Sequence, residues 1–241
     1  MRSKNVKTIN HVPSHLALIP DGNRRWSNSH KLQIFTGYQK GVKKFIDFSI
    51  WAKGFGVKTL TVWALSTENI KNRSKAEINA LYMLYVNAAK DPEMLQQLKD
   101  NGARIRIIGN MQMLPKKVRE ALQSVENRTK KYNDLTINLL VGYGGKDDIL
   151  YAFKKLHNYT LQGKINAINE ALVNQLMRTA SLPEVDFIIR TSGEMRLSGF
   201  LPWQSDYSEL YFAEKYWPDF DKKDLEKALE VYSERQRRFG K

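Results

Sequence analysis

From 19 to 26 the chain reads IPDGNRRW. The apolar run LALI at 16–19 leads to Pro20, and then Asp21, Gly22, Asn23, Arg24 and Arg25 arrive together ahead of Trp26. An anion beside two cations admits two readings. It is a plain ion pair on an Asp-Gly turn, or it is half of a site that holds a metal and a phosphate at once. Gly22 lets the backbone turn and approach a ligand closely. If a helix starts just after it, the N–H groups of Asn23, Arg24 and Arg25 face whatever lies above, and an added arginine makes a phosphate site. Asp21 would repel that phosphate unless an ion such as Mg²⁺ bridged the two.

Two more polar clusters share this character. RTSGEMRLS at 190–198 carries Arg190, Arg196 and Ser198, forked donors and a hydroxyl that suit a diphosphate. Glu194 in the same stretch reads as a carboxylate that neutralises one arginine. Glu209, in SDYSELYF, either completes a magnesium shell or is a satisfied acid at a subunit contact. STENIKNRS at 66–74 offers Ser66, Glu68 and Asn69, polar groups without a strong base; an asparagine orients a proton rather than removing it. Two diphosphate cradles and a metal, with no nucleophile, suit ionisation of a diphosphate leaving group. The carbon electrophile so formed must meet a second substrate in a dry site. Prenyl transfer fits that description.

These clusters need a scaffold. Strands are predicted at 16–20, 57–65, 103–109, 135–143 and 185–192, and helices near 37–53, 75–99, 114–131, 145–161, 166–178 and 222–238. Near-continuous apolar strands alternating with helices predict an α/β protein: one layered domain over 1–241, a central mostly parallel sheet flanked by helices, and a flexible segment at 1–10. Ligands of such sheets sit beyond the carboxyl ends of the strands. The three clusters follow the first, second and fifth strands.

Composition narrows the alternatives. The 241 residues are 42% hydrophobic and 27% charged, ordinary for a globular protein, and they include no cysteine. Disulfides, thiolate metal sites and cysteine nucleophiles are therefore excluded. His11, His15, His30 and His157 lack metal-ligand spacing. No G-x-x-x-x-G-K-[ST] or G-x-G-x-x-G loop occurs. The net charge of +14 attracts anions of every kind. The basic residues are spread out and no RNA-binding signature accompanies them, so nucleic acid is not the expected partner. No apolar run approaches the roughly 18 residues of a membrane helix, and a cytoplasmic location is expected.

The stretches HLALIPDGNRRW, LTVWALSTENIKNRS, LLVGYGGKDDI, VDFIIRTSGEMRLSGFLPWQSDYSELYF, WPDFD and ERQRRFG resemble the cis-prenyltransferases, undecaprenyl diphosphate synthases included, from about His11 to Gly240. The resemblance implies that isopentenyl diphosphate is added to an allylic diphosphate primer, farnesyl or geranylgeranyl diphosphate, giving a Z-polyprenyl diphosphate of medium length. It implies Mg²⁺, held by Asp21 with Glu209 as an associated acid. Gly22, Asn23, Arg24 and Arg25, with Trp26 beside them, match the allylic diphosphate loop. Arg190, Arg196 and Ser198 match the grip on isopentenyl diphosphate. Ser66 and Asn69 match the segment near the reacting carbons, and Arg73 a loop arginine of phosphate binding or closure. Family members are commonly homodimers, in which the R-x-G of Arg238 and Gly240 reaches the partner's active site. The hydrocarbon product implies peripheral association with a membrane.

The chain departs from the bacterial pattern at several points. Arg24 stands for a glycine, Ile34 and Tyr38 for an arginine and a histidine, Ile70 for an aromatic, and Met195 for a histidine. One extra residue precedes Arg73. Two alternatives stay open: a subunit of a heteromeric enzyme, and a related transferase with a different acceptor. Large aromatics such as Trp26, Trp203 and Tyr207 more often pack than touch ligands, and His15 reads as a structural, hydrogen-bonded histidine.

Overall fold

His15–Ile19 is buried at every one of its five positions, as a strand covered on both faces must be. In the computed structural model, which describes residue 9, residues 11–165 and residues 167–235, that strand (β1) lies inside a six-stranded sheet. The others are β2 Thr59–Ser66, β3 Ala103–Ile108, β4 Leu135–Tyr143, β5 Phe187–Arg190 and β6 Glu209–Phe212. All neighbours pair in parallel, in the order β3-β4-β2-β1-β5-β6. The chain leaves β1 toward β2 on one side and leaves β5 toward β6 on the other. The crevice between β1 and β5 is therefore a topological switch point, where α/β sheets bind ligands.

Nine α-helices are described: α1 Asn23–Ser29, α2 Ile34–Phe55, α3 Thr67–Asn72, α4 Lys75–Ala88, α5 Pro92–Asp100, α6 Lys116–Thr129, α7 Gly145–Leu161, α8 Glu170–Leu176 and α9 Lys222–Glu234. One sheet face buries Leu16, Leu18, Leu60 and Ile137 against α2, α4, α6 and α9. The other buries Ala17, Ile19, Leu140 and Ile188 with Phe200 and Leu201. None of the described helices is long and apolar enough to cross a membrane.

The predicted alternation holds from β1 to β5, whereas β6 follows β5 with no helix between them and was not among the five predicted strands; three further differences have local causes. The single helix predicted at 75–99 is two, because Asp91 caps a new start. Its Oδ1 accepts from the N–H of Glu93 at 2.9 Å, and Pro92 opens α5. The helix predicted at 166–178 is only Glu170–Leu176, started by Asn169 accepting from Leu172 N–H at 2.9 Å. The polar stretch after β2 forms the unpredicted α3, with Ser66 as its cap. The last helix ends at Glu234; the rest of its predicted span, to 238, lies outside the described residues.

The edge strand β3 is not left open. Its Ile105 N–H donates to Thr129 Oγ1 at 3.0 Å and its Ile107 N–H to Glu126 Oε1 at 3.1 Å. Side chains of α6 thus satisfy donors that an exposed edge would offer to another chain.

Candidate active site

The register of β1 with β5 places Ile19 beside Arg190, so Asp21 and Arg190 emerge together at the carboxyl end of the sheet. Asp21 Oδ2 accepts from Arg190 Nη2 at 2.9 Å, and Asp21 Oδ1 accepts from Gly22 N–H at 2.6 Å. Arg25 Nη2 lies 3.3 Å from Oδ1. Burial works against ionisation of Asp21, but the bond and charge of Arg190, the Gly22 N–H and the Arg25 charge together hold its pKa below the ordinary 3.8. Arg190 is itself buried, and its Nε has no hydrogen-bond partner among the described residues.

Gly22 has φ 100, a left-handed conformation suited to glycine. A Cβ there would sit 2.7 Å from Tyr216 Cδ1 and 2.9 Å from Ser192 Cβ. The first α1 hydrogen bond runs from Trp26 N–H to Gly22 O at 2.8 Å. The N–H groups of Asn23, Arg24 and Arg25 therefore precede the helical ladder.

Beyond β5 the loop folds back onto this pair. Arg190 Nη1 donates to the Arg196 carbonyl and to Ser198 Oγ, the latter at 3.0 Å. Ser192 and Ser198 both adopt positive φ, 77 and 54, conformations costly for side-chain-bearing residues. Glu194 ties the two arginine groups together: Oε1 meets Arg25 Nη1 at 2.8 Å and Oε2 pairs with Arg196 Nη1. Arg25 also donates to Ser192 Oγ.

On the opposite wall, Ser66 Oγ accepts the N–H of Asn69 at 2.9 Å and starts α3. Arg73 ends that helix and donates from Nη1 to Tyr38 Oη at 2.9 Å. Tyr38 donates in turn to Glu77, whose carboxylate also faces Arg73 at 3.3 Å and Arg24 at 3.7 Å. Burial first, and then Glu77, raise the Tyr38 pKa well above its usual range. Arg24, Arg25, Arg73, Arg190 and Arg196 outnumber the carboxylates of Asp21, Glu68, Glu77 and Glu194 by one here, so the mouth of the site favours anions.

One cavity of about 420 Å³ leads from Asp21 and Arg190 into the interior, with Gly22, Arg24, Arg25 and Arg196 beside it rather than in its lining. Asp21, Asn23, Ser66, Asn69, Arg73, Arg190 and Ser198 line its mouth. Inward, the walls become Phe45, Ala64, Leu81, Leu98, Ile105 and Leu139. The site has one end for charge and a long end for hydrocarbon.

Several predicted site residues lie elsewhere. Trp26 does not line the cavity. It is buried against the stacked ring of His30, with Lys40 Nζ 4.4 Å from its ring centroid, so it packs α1 onto α2. Glu209 starts β6, paired with Phe187, three residues before Arg190. That is roughly 10 Å back along the strands, and Glu209 is taken by Arg235 Nη1 at 2.7 Å. Within one chain it does not share an ion with Asp21. Arg238 and Gly240 lie outside the described residues. Tyr38 and Glu77 are the participants that spacing alone did not supply, although S-x-x-E at 74–77 marks a helix start.

Among the described residues no group of three or more His, Cys, Asp or Glu could hold a metal. Asp21 is the one carboxylate of the Asp21–Arg190 pair, and it opens onto the cavity. That suits a hard cation that keeps its waters and takes its other oxygens from a bound diphosphate, as Mg²⁺ does.

Residues 19–240 match the family model described as "Putative undecaprenyl diphosphate synthase". A tritrans,polycis-undecaprenyl-diphosphate synthase (geranylgeranyl-diphosphate specific) of Picrophilus torridus is 41% identical over 231 residues, covering 95% of this chain and 90% of that one. An isoprenyl transferase of Thermotoga maritima is 42% identical, covering 95% and 97%. The crystal structure of lavandulyl diphosphate synthase from Lavandula x intermedia, in complex with dimethylallyl diphosphate, superposes with a TM-score of 0.91. It is 34% identical, covering 95% of this chain and 99% of that one. With the charged mouth and apolar cavity beyond the β1–β5 crevice, these matches leave one assignment: the chain belongs to the undecaprenyl diphosphate synthase family of cis-prenyltransferases.

Proposed function

We propose that this protein adds isopentenyl diphosphate to an allylic diphosphate primer, geranylgeranyl or farnesyl diphosphate, and releases a Z-polyprenyl diphosphate of medium length. The observation that carries this reading is the cavity that joins the Asp21–Arg190 pair to an apolar interior. The geranylgeranyl specificity named for the Picrophilus relative supports that primer.

In this reading the N–H groups at 23–25, with Arg24 and Arg25, hold the allylic diphosphate, and Arg190, Arg196 and Ser198 hold isopentenyl diphosphate. The allylic C–O bond breaks with its electron pair leaving on the diphosphate. The double bond of isopentenyl diphosphate attacks the allylic carbon, and the carbon next to the cation so formed loses a proton to the released diphosphate, which re-forms a double bond. Asn69 and Ser66 orient that proton by hydrogen bonding, and the apolar walls keep water from the cation. Asp21 would hold a Mg²⁺ ion, which when bound would add positive charge beside the leaving diphosphate.

Purified protein with Mg²⁺, either primer and labelled isopentenyl diphosphate is expected to yield a butanol-extractable polyprenyl product. No extractable label with any allylic primer, from folded protein, overturns the reading. A homodimer belongs to it as well. Leu150, Phe153 and Leu161 stand exposed along α7 in the single chain, and burying them against a second copy removes that apolar surface from water. Sedimentation equilibrium is expected to show a dimer that Phe153→Glu weakens; a wild-type monomer counts against it.

A further inference from the structure

Five consecutive residues, His30 to Ile34, stand exposed where α1 turns into α2, and two of them are the large apolar Leu32 and Ile34. The turn is braced rather than loose. Lys31 adopts φ 55, and the N–H groups of Lys31 and Leu32 donate to the Asn28 and Ser27 carbonyls at 3.1 and 2.9 Å. Ser27 Oγ also accepts the Gly37 N–H at 2.9 Å. A single exposed leucine is ordinary, but this pair is held in water by the turn's own geometry.

The pair also sits where the cavity opens. α1 begins at the carboxyl end of β1, and α2 has to return to the start of β2 at the opposite edge of the sheet. The turn between them therefore lies on the mouth side, and Tyr38, about one helical turn past Ile34, lines the cavity. α3 and the start of α4 follow the carboxyl end of β2 and adjoin α1, where Arg24 lies 3.7 Å from Glu77. Residues 23–34 and 66–77 together carry Arg24, Arg25, Lys31, Lys71, Arg73 and Lys75 against Glu68 and Glu77. Arg24, Lys31, Lys71 and Lys75 are exposed, while Glu77 is already paired with Arg24 and Arg73.

Resting on the prenyltransferase reading, we propose that this rim is a docking surface for an anionic lipid bilayer. Lys31, Lys71 and Lys75 meet phosphate headgroups, while Leu32 and Ile34 enter the boundary between headgroups and acyl chains. Charge complementarity selects the partner, and continuity with the cavity gives the contact a use. A polyprenyl diphosphate leaving the apolar interior passes its hydrocarbon into lipid beside Ile34 without crossing bulk water.

The chain has no cysteine, so Gln33→Cys offers a unique labelling site at the tip of the turn. Lys130→Cys offers one at the far end of α6, on the opposite edge of the sheet. A polarity-sensitive fluorophore on Gln33→Cys is expected to shift to the blue when vesicles of phosphatidylglycerol and phosphatidylcholine are added. The same fluorophore on Lys130→Cys is expected not to shift. Phosphatidylcholine alone is expected to give no response, and added salt to weaken the response to the mixed vesicles. In co-sedimentation with the mixed vesicles, Leu32→Ser with Ile34→Ser is expected to lower the partition coefficient about tenfold. Lys31→Gln with Lys75→Gln is expected to lower it as well. Lys130→Gln with Lys131→Gln, which removes the same charge elsewhere, is expected to leave it as in wild type. Equal losses in the two lysine pairs would mean that net charge alone attracts the protein, and would overturn the docking surface. So would a wild type that stays in the supernatant, or an equal shift on Lys130→Cys. The vesicle assay contains no substrate, so such failures leave prenyl transfer standing. A protein that binds vesicles yet incorporates no labelled isopentenyl diphosphate overturns the prenyltransferase reading and leaves the docking surface standing.

Discussion

Asp21 neutralises the buried Arg190 and faces the mouth of the cavity. Removing its carboxylate therefore has two separable effects. Asp21→Ala leaves Arg190 without its counter-charge, a destabilising state for a buried guanidinium, whereas Asp21→Asn keeps an acceptor in place. Both are expected to lower turnover by about 10²–10³-fold, as when one transition-state electrostatic element is lost. Inorganic pyrophosphate binding, measured by calorimetry, is expected to persist through Arg25 and the N–H groups at 23–25. Near-normal turnover in Asp21→Asn would remove the metal role. Folding lowers the Asp21 pKa, so the stability it contributes is complete above the ordinary 3.8 and is lost as pH falls through the lowered value. Activity lost in mild acid is thus not titration of Asp21. The residue types at the ends of β1 and β5 made Asp21 and Arg190 legible in the sequence. The place of Glu209 was not legible, because it follows from the β5–β6 register, which no local pattern states. Glu77 was missed because its partners, Tyr38 and Arg24, are joined to it only through space.

At the scale of elements, β2 and α4 meet at Ala64. Its carbonyl accepts from the Tyr85 hydroxyl at 2.7 Å, while its methyl group faces the cavity. Leucine there adds carbons beside a fixed strand–helix contact, at roughly 1–3 kcal/mol for overpacking. Ala64→Leu is expected to shift products toward short chains while the first condensation still proceeds. Chromatography of the dephosphorylated products checks this, and an unchanged distribution shows that Ala64 does not border the path. The break between α4 and α5 was written in the sequence as Asp91-Pro92. It was overridden because both helices turn apolar residues to the same cavity, and the pattern runs on across the break. The short α3 escaped because polar residues dominate it; only its Ser66 cap announces it.

At the scale of the whole molecule, the sheet holds a buried polar ladder. His15 Nδ1 donates to the carbonyls of Pro183 and Glu184, at 3.0 and 3.1 Å, so Nε2 accepts from the Thr61 hydroxyl at 2.7 Å. Asn138 Nδ2 donates to that same hydroxyl at 3.1 Å. The structural reading of His15 holds. Burial lowers its pKa below 6.5, against the opposing pull of the two carbonyls and Asp186. The unfolded chain therefore takes up the proton first, and stability falls as pH drops from 6.5 through the lowered value. Calorimetric melting between neutral and mildly acidic pH is expected to show a shallower dependence in His15→Gln than in wild type. Equal slopes would mean that His15 is not the group responsible. Asp148 acts in the opposite sense: burial raises its pKa, so its contribution declines as pH rises from 3.8 through the raised value. The layered architecture was legible because strands buried on both faces read as apolar runs. The ladder was not, since it depends on which of those runs become neighbours.

The pairing of β1 with β5 has a consequence for biosynthesis. β1 ends at Ile19, and the strand that closes its second flank begins at Phe187. At translation rates of ~5–20 residues per second, roughly ten to thirty seconds separate their appearance at the ribosome. Throughout that interval the most apolar strand of the protein has at most one neighbour, with an open edge at the place where the catalytic cleft will later form. Nascent chains are therefore most vulnerable to misassociation before β5 emerges, and a chaperone that shields this edge would act during synthesis rather than after it.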